Sequence, residues 1–519
     1  MLPEKQQILI LGAGVMQGPA LRIAAEMGLV AVAADADANA PSAAVAARFE
    51  NVDLKDREGI EALARALQER GTLGGVMTAG TDFSATVAWV AEKLKLPGIP
   101  FQTALDASDK ERMRRRFRES GVPSPAFVIF SSAADAGGDL PFPLPVVVKP
   151  VDNMGSRGCR RVDTVGDLGT AVASALAFSR SGRAIVEQYM EGPEFSIDAL
   201  VYKGEITMCG IADRHIFFPP YFIEMGHTMP SAQPPSVIRS LLDTFTQGVR
   251  ALGIENGAAK GDVKLTPRGP MIGEIAARLS GGYMSGWTYP YSSGVLPTRG
   301  AIEIALGRKP SRTAPEWDWT AAERAFISIP GTVQTMEGIE TARVMPFVRD
   351  VFTRAKPGSA VNFPENNVTK CGNVIAAAAS RDDAVSAAEN AARRILIRLK
   401  APDAVTDAFL AVGCGAVLGQ VKFPPDAFDV DSRLLSLLEA LPERDGSGGL
   451  VPFPAFSEGG FRDYMGRSVP ESLDAVRVLT GAELPAAGRS FWRAFIRGGY
   501  QGAAYFVDCM RLNQRGANA

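Results

Sequence analysis

No two of the five cysteines stand in a C-x-x-C spacing; Cys159, Cys209, Cys371, Cys414 and Cys509 are scattered and odd in number. That argues against a zinc site and a disulfide frame and for free thiols in a reducing compartment. Charge of one sign is lacking too. The 55 Lys and Arg and 57 Asp and Glu leave a formal net charge of -2, without the basic excess by which nucleic-acid binders hold a polyanion. No apolar run approaches the roughly 18–20 residues that span a bilayer. The opening MLPEKQQILILGAG has no long apolar stretch ahead of a small-residue cleavage site, so no secretory signal is expected. The expectation is a soluble, cytoplasmic protein with no nucleic-acid and no membrane partner. At 519 residues, 46% of them hydrophobic, there is enough apolar material for several cores and too much chain for one, so three or four lobes are expected.

What is present alternates. Over the first hundred residues, short β-rich runs (Gln7–Leu11, Val30–Ala34, Gly75–Thr78) change places with helical patterns (about Gln17–Met27, Arg57–Arg70, Phe83–Glu92). That βαβαβ order implies a parallel, doubly wound sheet, closed by the proline-rich stretch Leu96–Phe101. A helix is expected over Ser108–Ser120, with Ser108 as N-cap and Gly121 as stop. From Phe127 to Gln188 short strands flank one helix near Val165–Phe178. Strands are expected over Phe195–Ile216 and Ala258–Ala277, separated by a helix over Pro235–Leu252. Beyond Arg308 comes a Pro-, Ser- and Thr-rich linker, and strands resume at Arg324. Apolar residues at Val385, Ala388, Ala392, Ile395, Leu396 and Leu399 predict an amphipathic helix over Arg381–Leu399. After residue 400 the character changes to helical patterns split by Gly- and Pro-rich breaks such as Asp445–Pro454.

Gly12-Ala13-Gly14 lies between the first strand and the first helix, with Gly18 four residues on and Asp35 or Asp37 ending the second strand. Such a turn can face an anion with backbone amides and a helix N-terminus, so a dinucleotide site is conceivable. Any tight strand-to-helix turn in a parallel sheet also uses glycine, and this element decides nothing by itself.

Four downstream segments carry more. Asp109-Lys110-Glu111-Arg112 opens a helix that ends in GVPSP. In PVVVKPVDNMGSRG (145–158) an apolar strand delivers Lys149 and runs into a loop with Gly155, Ser156, Arg157 and Gly158. Glycines let phosphate oxygens approach the backbone, and Lys149 can neutralise their charge. The loop is not a Walker A element, since it has no G-K-[ST] and is flanked by strands. Glycine turns between strands are common, but a lysine at the end of an apolar strand is harder to dismiss, because burying an unpaired ammonium is costly. In AIVEQYMEGPEFSI (184–197), Glu187 ends a strand and Glu194 opens the next. Backbone groups around Gln188 and Met190 can pair with an adenine edge while an acid accepts ribose hydroxyls; an ordinary hairpin with exposed acids reads the same way. In GDVKLTPRGPMIGEIAARLSGG (261–282), Asp262 and Glu274 lie on two strands joined by TPRGP, where the carboxylates can face one another. Two hard oxygen donors suit Mg²⁺ completed by substrate phosphates; two solvated acids with no metal are the alternative. Arg278 adds a permanent cation nearby.

In this order and spacing the segments resemble the ATP-grasp superfamily, which includes biotin carboxylase, the carbamoyl-phosphate synthetase large chain, D-alanine–D-alanine ligase and the L-amino-acid ligases. The resemblance covers about residues 5–400. It implies an α/β chain with an α+β lid: a Rossmann-like parallel-sheet lobe before the ATP site (1–105), a linker helix and β-rich lid (106–190), and a large antiparallel-sheet lobe carrying metal and substrate (191–400). A mainly helical C-terminal domain (401–519) is appended to these. By resemblance, Lys110 and Lys149 match phosphate-contacting lysines, and 153–158, with Gly155, Ser156 and Gly158, matches the flexible lid loop. Glu187, Gln188 and Met190 match the adenine hinge, and Glu194 matches the ribose-contacting acid. Asp262 and Glu274 match the magnesium-binding acids, with Asp where Glu is more usual, and Arg278 the arginine that steadies acyl phosphate and tetrahedral intermediate. Ala276 stands where many relatives carry Asn in E-x-N-x-R, which implies one metal ligand fewer, or a second metal held chiefly by phosphate oxygens. EIAARLSGG is more similar to amino-acid-ligase members than to biotin carboxylase. DRHIFFPPYFIEMGHTMP, with His215 and His227, resembles their substrate loop. Glu224 and His227 are candidates to orient a polar substrate group, and Gly281 and Gly282 to admit a substrate carboxylate to the backbone.

The activity so implied is ATP-dependent ligation. A carboxylate is activated as an acyl phosphate, ADP leaves, and an amine attacks to form an amide or peptide bond. ATP and Mg²⁺ (or Mn²⁺) are the implied cofactors, small-molecule carboxylate and amine substrates the partners, and a homodimer is left open. A bicarbonate-using carboxylase or carbamoyl-phosphate-type enzyme is the nearest alternative, although the chain has no M-K-M biotin tripeptide and no β-rich carrier pattern. From other classes come a non-catalytic nucleotide-binding module and an NAD-dependent oxidoreductase using the front glycine turn. Lys149, Asp262, Glu274 and Arg278 together speak against a dead site. The apolar stretch FWRAFIRGGYQGAAYFV (491–507) fits core packing, with docking on the ligase body, a dimer contact or recruitment of another protein as alternatives.

Overall fold

The computed structural model describes residues 5–415, 422–444, 449–456, 460–481 and 484–517; residues 1–4 of the N-terminal stretch and 445–448 of the glycine-rich break lie outside them. The chain forms two compact units. Met1–His215, His227–Ala322 and Ala377–Arg381 make the first; Ile216–Gly226, Glu323–Ala376 and Asp382–Ala519 make the second.

The first unit begins with β1 (Gln7–Leu11), α1 (Gly18–Glu26), β2 (Val30–Asp35), β3 (Arg48–Asn51), α2 (Arg57–Arg70), β4 (Leu73–Thr78) and α3 (Ser84–Leu94). The four strands form a sheet of order β3-β2-β1-β4, all parallel. Alternation along apolar strands fills both faces. Ile8, Ile10, Ala31 and Ala33 pack with Ala20, Leu21 and Ala24 of α1, while Leu9, Leu11, Val32 and Val76 pack with Ile60, Ala64 and Leu67 of α2. Strand β3, RFEN, carries little apolar signal and was not expected from the sequence.

Two helices follow where one was expected: α4 (Phe101–Ser108) and α5 (Lys110–Glu119). The N-cap of α5 is Asp109, not Ser108. The Asp109 carboxylate accepts the Arg112 amide at 3.1 Å, whereas the Ser108 hydroxyl is spent on Ala104 O within α4. Strands β5 (Phe127–Phe130), β6 (Val146–Pro150), β7 (Arg160–Val162) and β8 (Ala184–Gln188) form a small sheet of order β5-β8-β6-β7. Helix α6 (Val165–Phe178) covers it, with Leu168, Ala171, Val172 and Ala175 on Val146, Val148 and Val186. Then come β9 (Glu194–Tyr202), β10 (Glu205–Phe217) and β11 (Ile223–Met229), of which the residues from Ile216 to Gly226 belong to the second unit, and α7 (Pro235–Ala251), β12 (Asn256–Thr266) and β13 (Gly269–Ala276). An antiparallel run β13-β12-β9-β10 is backed by Leu241, Phe245 and Val249 of α7. The short α8 (Tyr289–Ser293) and α9 (Pro297–Ala305) complete this unit's elements; Ile302 and Ile304 of α9 join the core that contains Ile8 and Ile10.

In the second unit lie most of β14 (Thr320–Phe326) and β15 (Gly331–Glu337), α10 (Ile339–Arg343), β16 (Val348–Thr353), β17 (Ala360–Val361), most of β18 (Gly372–Ala378), α11 (Arg381–Arg394), β19 (Leu396–Leu399), α12 (Ala404–Ala411), α13 (Ser432–Glu439), α14 (Val469–Thr480) and α15 (Arg489–Ala517). The helix expected to Leu399 stops at Arg394. Its apolar tail, Leu396–Leu399, is a strand paired antiparallel with β15, in a three-stranded sheet β17-β15-β19. A short apolar run fits either period, and the β15 edge settles which. The C-terminal helices have an aromatic core of Phe428, Phe456, Phe491, Trp492 and Phe495. The Tyr500 hydroxyl of α15, beside a break at Gly499 (φ 61°), accepts the Ile397 amide of β19 at 3.0 Å. The 491–507 stretch is thus core, as expected. Among the described residues no helix is long and apolar enough to cross a membrane.

Gly75 of β4 marks a close helix–sheet approach, for a Cβ there would lie 2.3 Å from the carbonyl oxygen of Ala305 at the end of α9. Gly75→Ala should therefore push α9 off the sheet and lower unfolding free energy by about 1–3 kcal/mol, read by urea denaturation.

Candidate active site

The hairpin β12/β13 places Asp262 directly opposite Glu274, with a register shift just after Asp262. Like charges facing across a ladder repel, and the surroundings supply cations. The Asp262 carboxylate pairs with Arg214 of β10 at 2.7 Å and with Lys260, two residues back on the same strand face. Arg214 also pairs with Glu194. Glu274, its side chain 32% exposed, lies 3.6 Å from the Lys110 ammonium. Burial alone would raise its pKa; Lys110, Lys149, Lys260 and Arg278 together outweigh that and hold the carboxyl at about 2. It is ionised throughout the working range of an enzyme.

Lys110 opens α5 and is itself buried; its ammonium also donates to Asn153 O at 2.7 Å, at the base of the glycine loop. In that loop Gly155, Ser156 and Gly158 have φ of 68°, 61° and 68°. A Cβ on Gly158 would meet the Phe178 ring at 2.9 Å, so glycine is required there for both conformation and space. Lys149, next to last in β6, pairs with Glu187 at 2.7 Å. Glu187 is buried, and its other oxygen accepts from Arg114 of α5 at 2.8 Å. Burial pushes the Glu187 carboxyl up, but Arg114 and Lys149 override it and its pKa is lowered. The carboxylate of Glu187 is thus committed to two cations. In the segment read as a hinge, the amides of Gln188 and Tyr189 donate to Ala126 O and Pro145 O, and Met190 O accepts from Lys264 at 2.9 Å.

Arg278 follows β13; one guanidinium nitrogen donates to Leu279 O at 3.0 Å, and its buried Nε has no hydrogen-bond partner among the described residues. Arg278 lines a cleft with Thr78, Ser84, Asn256 and Leu279. Gly281 packs against Gly80, whose amide donates to Leu279 O, while Gly282 (φ 62°) faces open space. His227 is on a strand and fully buried, its Nε2 2.9 Å from the Thr288 hydroxyl; His215 Nε2 meets Thr228 at the same distance. Glu224 belongs to the second unit, where its backbone is held by Asn367 and Lys370. The front glycine turn has no amides to spare for an anion at its centre. Ala13 N donates to Asp35 and Gly14 N to Gln17, at 2.8 and 2.9 Å.

Four partners escaped the sequence reading. Arg114 is one helical turn from Lys110 and Lys260 two residues from Asp262, spacings that put each on its neighbour's face. Arg214 and the buried Asp198 left no such trace. Asp198 accepts the Ser280 amide at 3.2 Å and so holds the segment after Arg278.

The donor set limits the metal. No group of three or more His, Cys, Asp and Glu able to hold an ion occurs among the described residues. Two opposed carboxylates, one of them open and ionised, fit an ion that takes most of its ligands from phosphate and water, as Mg²⁺ does, and not a protein-caged zinc.

Comparison with known proteins gives a concordant picture. The model of the ATP-grasp domain matches residues 142–286, and that of the L-amino acid ligase C-terminal domain 2 matches residues 325–400. The uncharacterized protein y4rH of Sinorhizobium fredii is 25% identical over 68% of this chain and 74% of its own length. Carnosine synthase 1 of Gallus gallus is 26% identical over 65% of this chain, a match that spans only 40% of that enzyme. Among solved structures, the L-amino acid ligase from Bacillus licheniformis superposes with a TM-score of 0.67 at 23% identity, covering 76% of this chain and 99% of that one. At that identity the likeness shows the fold.

Burial raises the Asp198 carboxyl to about 6, against the lowering pull of Ser280 and Lys260, from an ordinary value near 3.9. A raised folded pKa means stability present below about pH 4 and lost as pH climbs through about 6. Asp198→Asn should remove that loss. The difference in unfolding free energy between variant and wild type should shift by about 2–3 kcal/mol in the variant's favour from pH 4 to 7, read by urea titrations across that range.

Proposed function

We propose that this chain, which carries an ATP-grasp domain at 142–286 and an L-amino acid ligase C-terminal domain at 325–400, is an ATP-dependent ligase joining a carboxylate to an amine through an acyl phosphate. The observation that carries this reading is the ionised Glu274, opposite Asp262 and within 3.6 Å of Lys110. Acids and cations so close together form a site for a metal–polyanion pair. Mg²⁺ or Mn²⁺ held by Glu274 and Asp262 would neutralise phosphate oxygens. Lys110 and Lys149 would hold the terminal phosphate from the lid side, with the backbone of the 153–158 loop. Lys149 is kept in place by Glu187.

Fixed charges of this kind lower the barrier where charge moves from the attacking carboxylate to the leaving ADP, since they need no reorganisation. Arg278, whose Nε has no hydrogen-bond partner among the described residues, would then stabilise the oxyanion formed when the amine adds to the acyl carbonyl. Gly282 would leave room for the substrate beside the backbone. The amine and the carboxylate are small molecules, most simply amino acids, in keeping with the L-amino acid ligase domain. An NAD-dependent reading finds no support at the front turn, whose amides are taken by Asp35 and Gln17.

Incubation with Mg-ATP, hydroxylamine and a panel of amino and other organic acids should yield a hydroxamate and ADP for at least one acid. Lys149→Ala and Glu274→Ala should each cut that turnover by roughly two to three orders of magnitude with circular dichroism unchanged. Near-normal rates in both variants would remove the site assignment, and the absence of ADP release with every acid would remove the ligase reading.

A further inference from the structure

Glu187 lies between two cations, and only one of them can reach a ligand. Arg114 is fully buried, while the Lys149 side chain is 14% exposed. Each takes a separate oxygen of the carboxylate, Arg114 Nε at 2.8 Å and Lys149 Nζ at 2.7 Å. A lysine paired with a buried glutamate alone is a neutral pair and offers an arriving anion little more than a dipole. With Arg114 added, the cluster keeps one unit of positive charge, presented at Lys149. The same guanidinium donates through Nη2 to Gly273 O at 2.5 Å, the residue before Glu274. One side chain of α5 therefore ties β8, and through it the Lys149 ammonium of β6, to the strand that bears the candidate metal acid.

We propose that Arg114 is a positioning residue for the nucleotide site. It neutralises Glu187 so that the charge of Lys149 is left for a phosphate, and it sets Lys149 in register with Glu274. This inference rests on the nucleotide reading given above.

The test is the affinity of the full chain for Mg-ATP, measured by titration calorimetry. Arg114→Met should weaken binding by roughly tenfold or more, the scale of one lost charge at a partly buried site. Arg114→Met combined with Glu187→Gln should recover most of that loss, because Lys149 is then unopposed again. A residue that served packing alone would make the double variant no better than the single one. Arg114→Lys keeps the charge and shortens the arm to Gly273, so its ATP affinity should stay within about threefold of wild type while turnover falls. Wild-type affinity in Arg114→Met would overturn the proposal. So would a double variant as weak as the single, or, should Arg114→Met not fold, an Arg114→Lys or double variant that folds but binds ATP more than about tenfold more weakly. A wild-type chain that binds no Mg-ATP would overturn the nucleotide reading itself, and this inference with it.

Discussion

Two carboxylates facing each other across a β-ladder repel, and the cations gathered around Asp262 and Glu274 answer that repulsion. Asp262 and Glu274 are held opposite by the register of β12 and β13. Arg214 and Lys260 pair with the first; Lys110 lies nearest the second, with Lys149 and Arg278 adding to its field. These cations come from α5, β6, β10, β12 and the segment after β13. The arrangement also sets the terms on which a divalent ion could enter. Asp262 is already engaged, so a bare ion would have to displace Lys260 and Arg214 from it, breaking two ion pairs in a partly buried place, which is unfavourable. An ion arriving with a triphosphate brings new partners for them. In the proposed reading, metal and nucleotide would bind as one exchange of partners.

In the second unit aromatic packing is prominent beside its ion pairs. Phe218 and Tyr221, from the segment between β10 and β11, pack in edge-to-face contacts with Phe363 and Phe423, at centroid distances of 5.0 and 4.6 Å. Tyr464 meets Phe363 at 4.9 Å, and its hydroxyl donates to Pro425 O. Such contacts add to simple area burial. They anchor the middle of a stretch that, as sequence, resembles a substrate loop. Fewer than ten of its residues lie outside strands, and two of those, Phe218 and Tyr221, pack in this cluster.

The parallel sheet, the glycine loop and the acid hairpin were legible because each rests on a local rule. Apolar strands alternating with helices dictate a doubly wound sheet, and a tight TPRGP turn fixes which residues of a hairpin face one another. The misses have a common cause as well. Arg114 and Lys260 are polar residues on the apolar or active face of their elements, and periodicity counted on hydrophobic residues passes over them. The front glycine turn fits an anion site as well in sequence as many true ones; what decides against it is the side chains of Asp35 and Gln17, which take the amides from 22 and three residues away. Leu396–Leu399 continues a helical pattern by composition, and only the partner strand β15, some sixty residues earlier, makes it a strand.

Ala276 is the position where this chain departs from the E-x-N-x-R pattern, and the ladder suggests what replaces the missing asparagine. Lys260 is the cross-strand partner of Ala276 on one side and of Asp198 on the other. A methyl side chain makes no claim on the space beside it, so the Lys260 ammonium is free to pair with Asp262. Where an asparagine would have lent a neutral oxygen to a cation, this site has a fixed positive charge held by an acid. In the proposed reading, that exchange would trade a metal ligand for a direct phosphate partner. The dependence on divalent ion in such a site should be carried by Glu274 more than by Asp262, since Glu274 is the acid that is open, ionised and not already closed into a short ion pair.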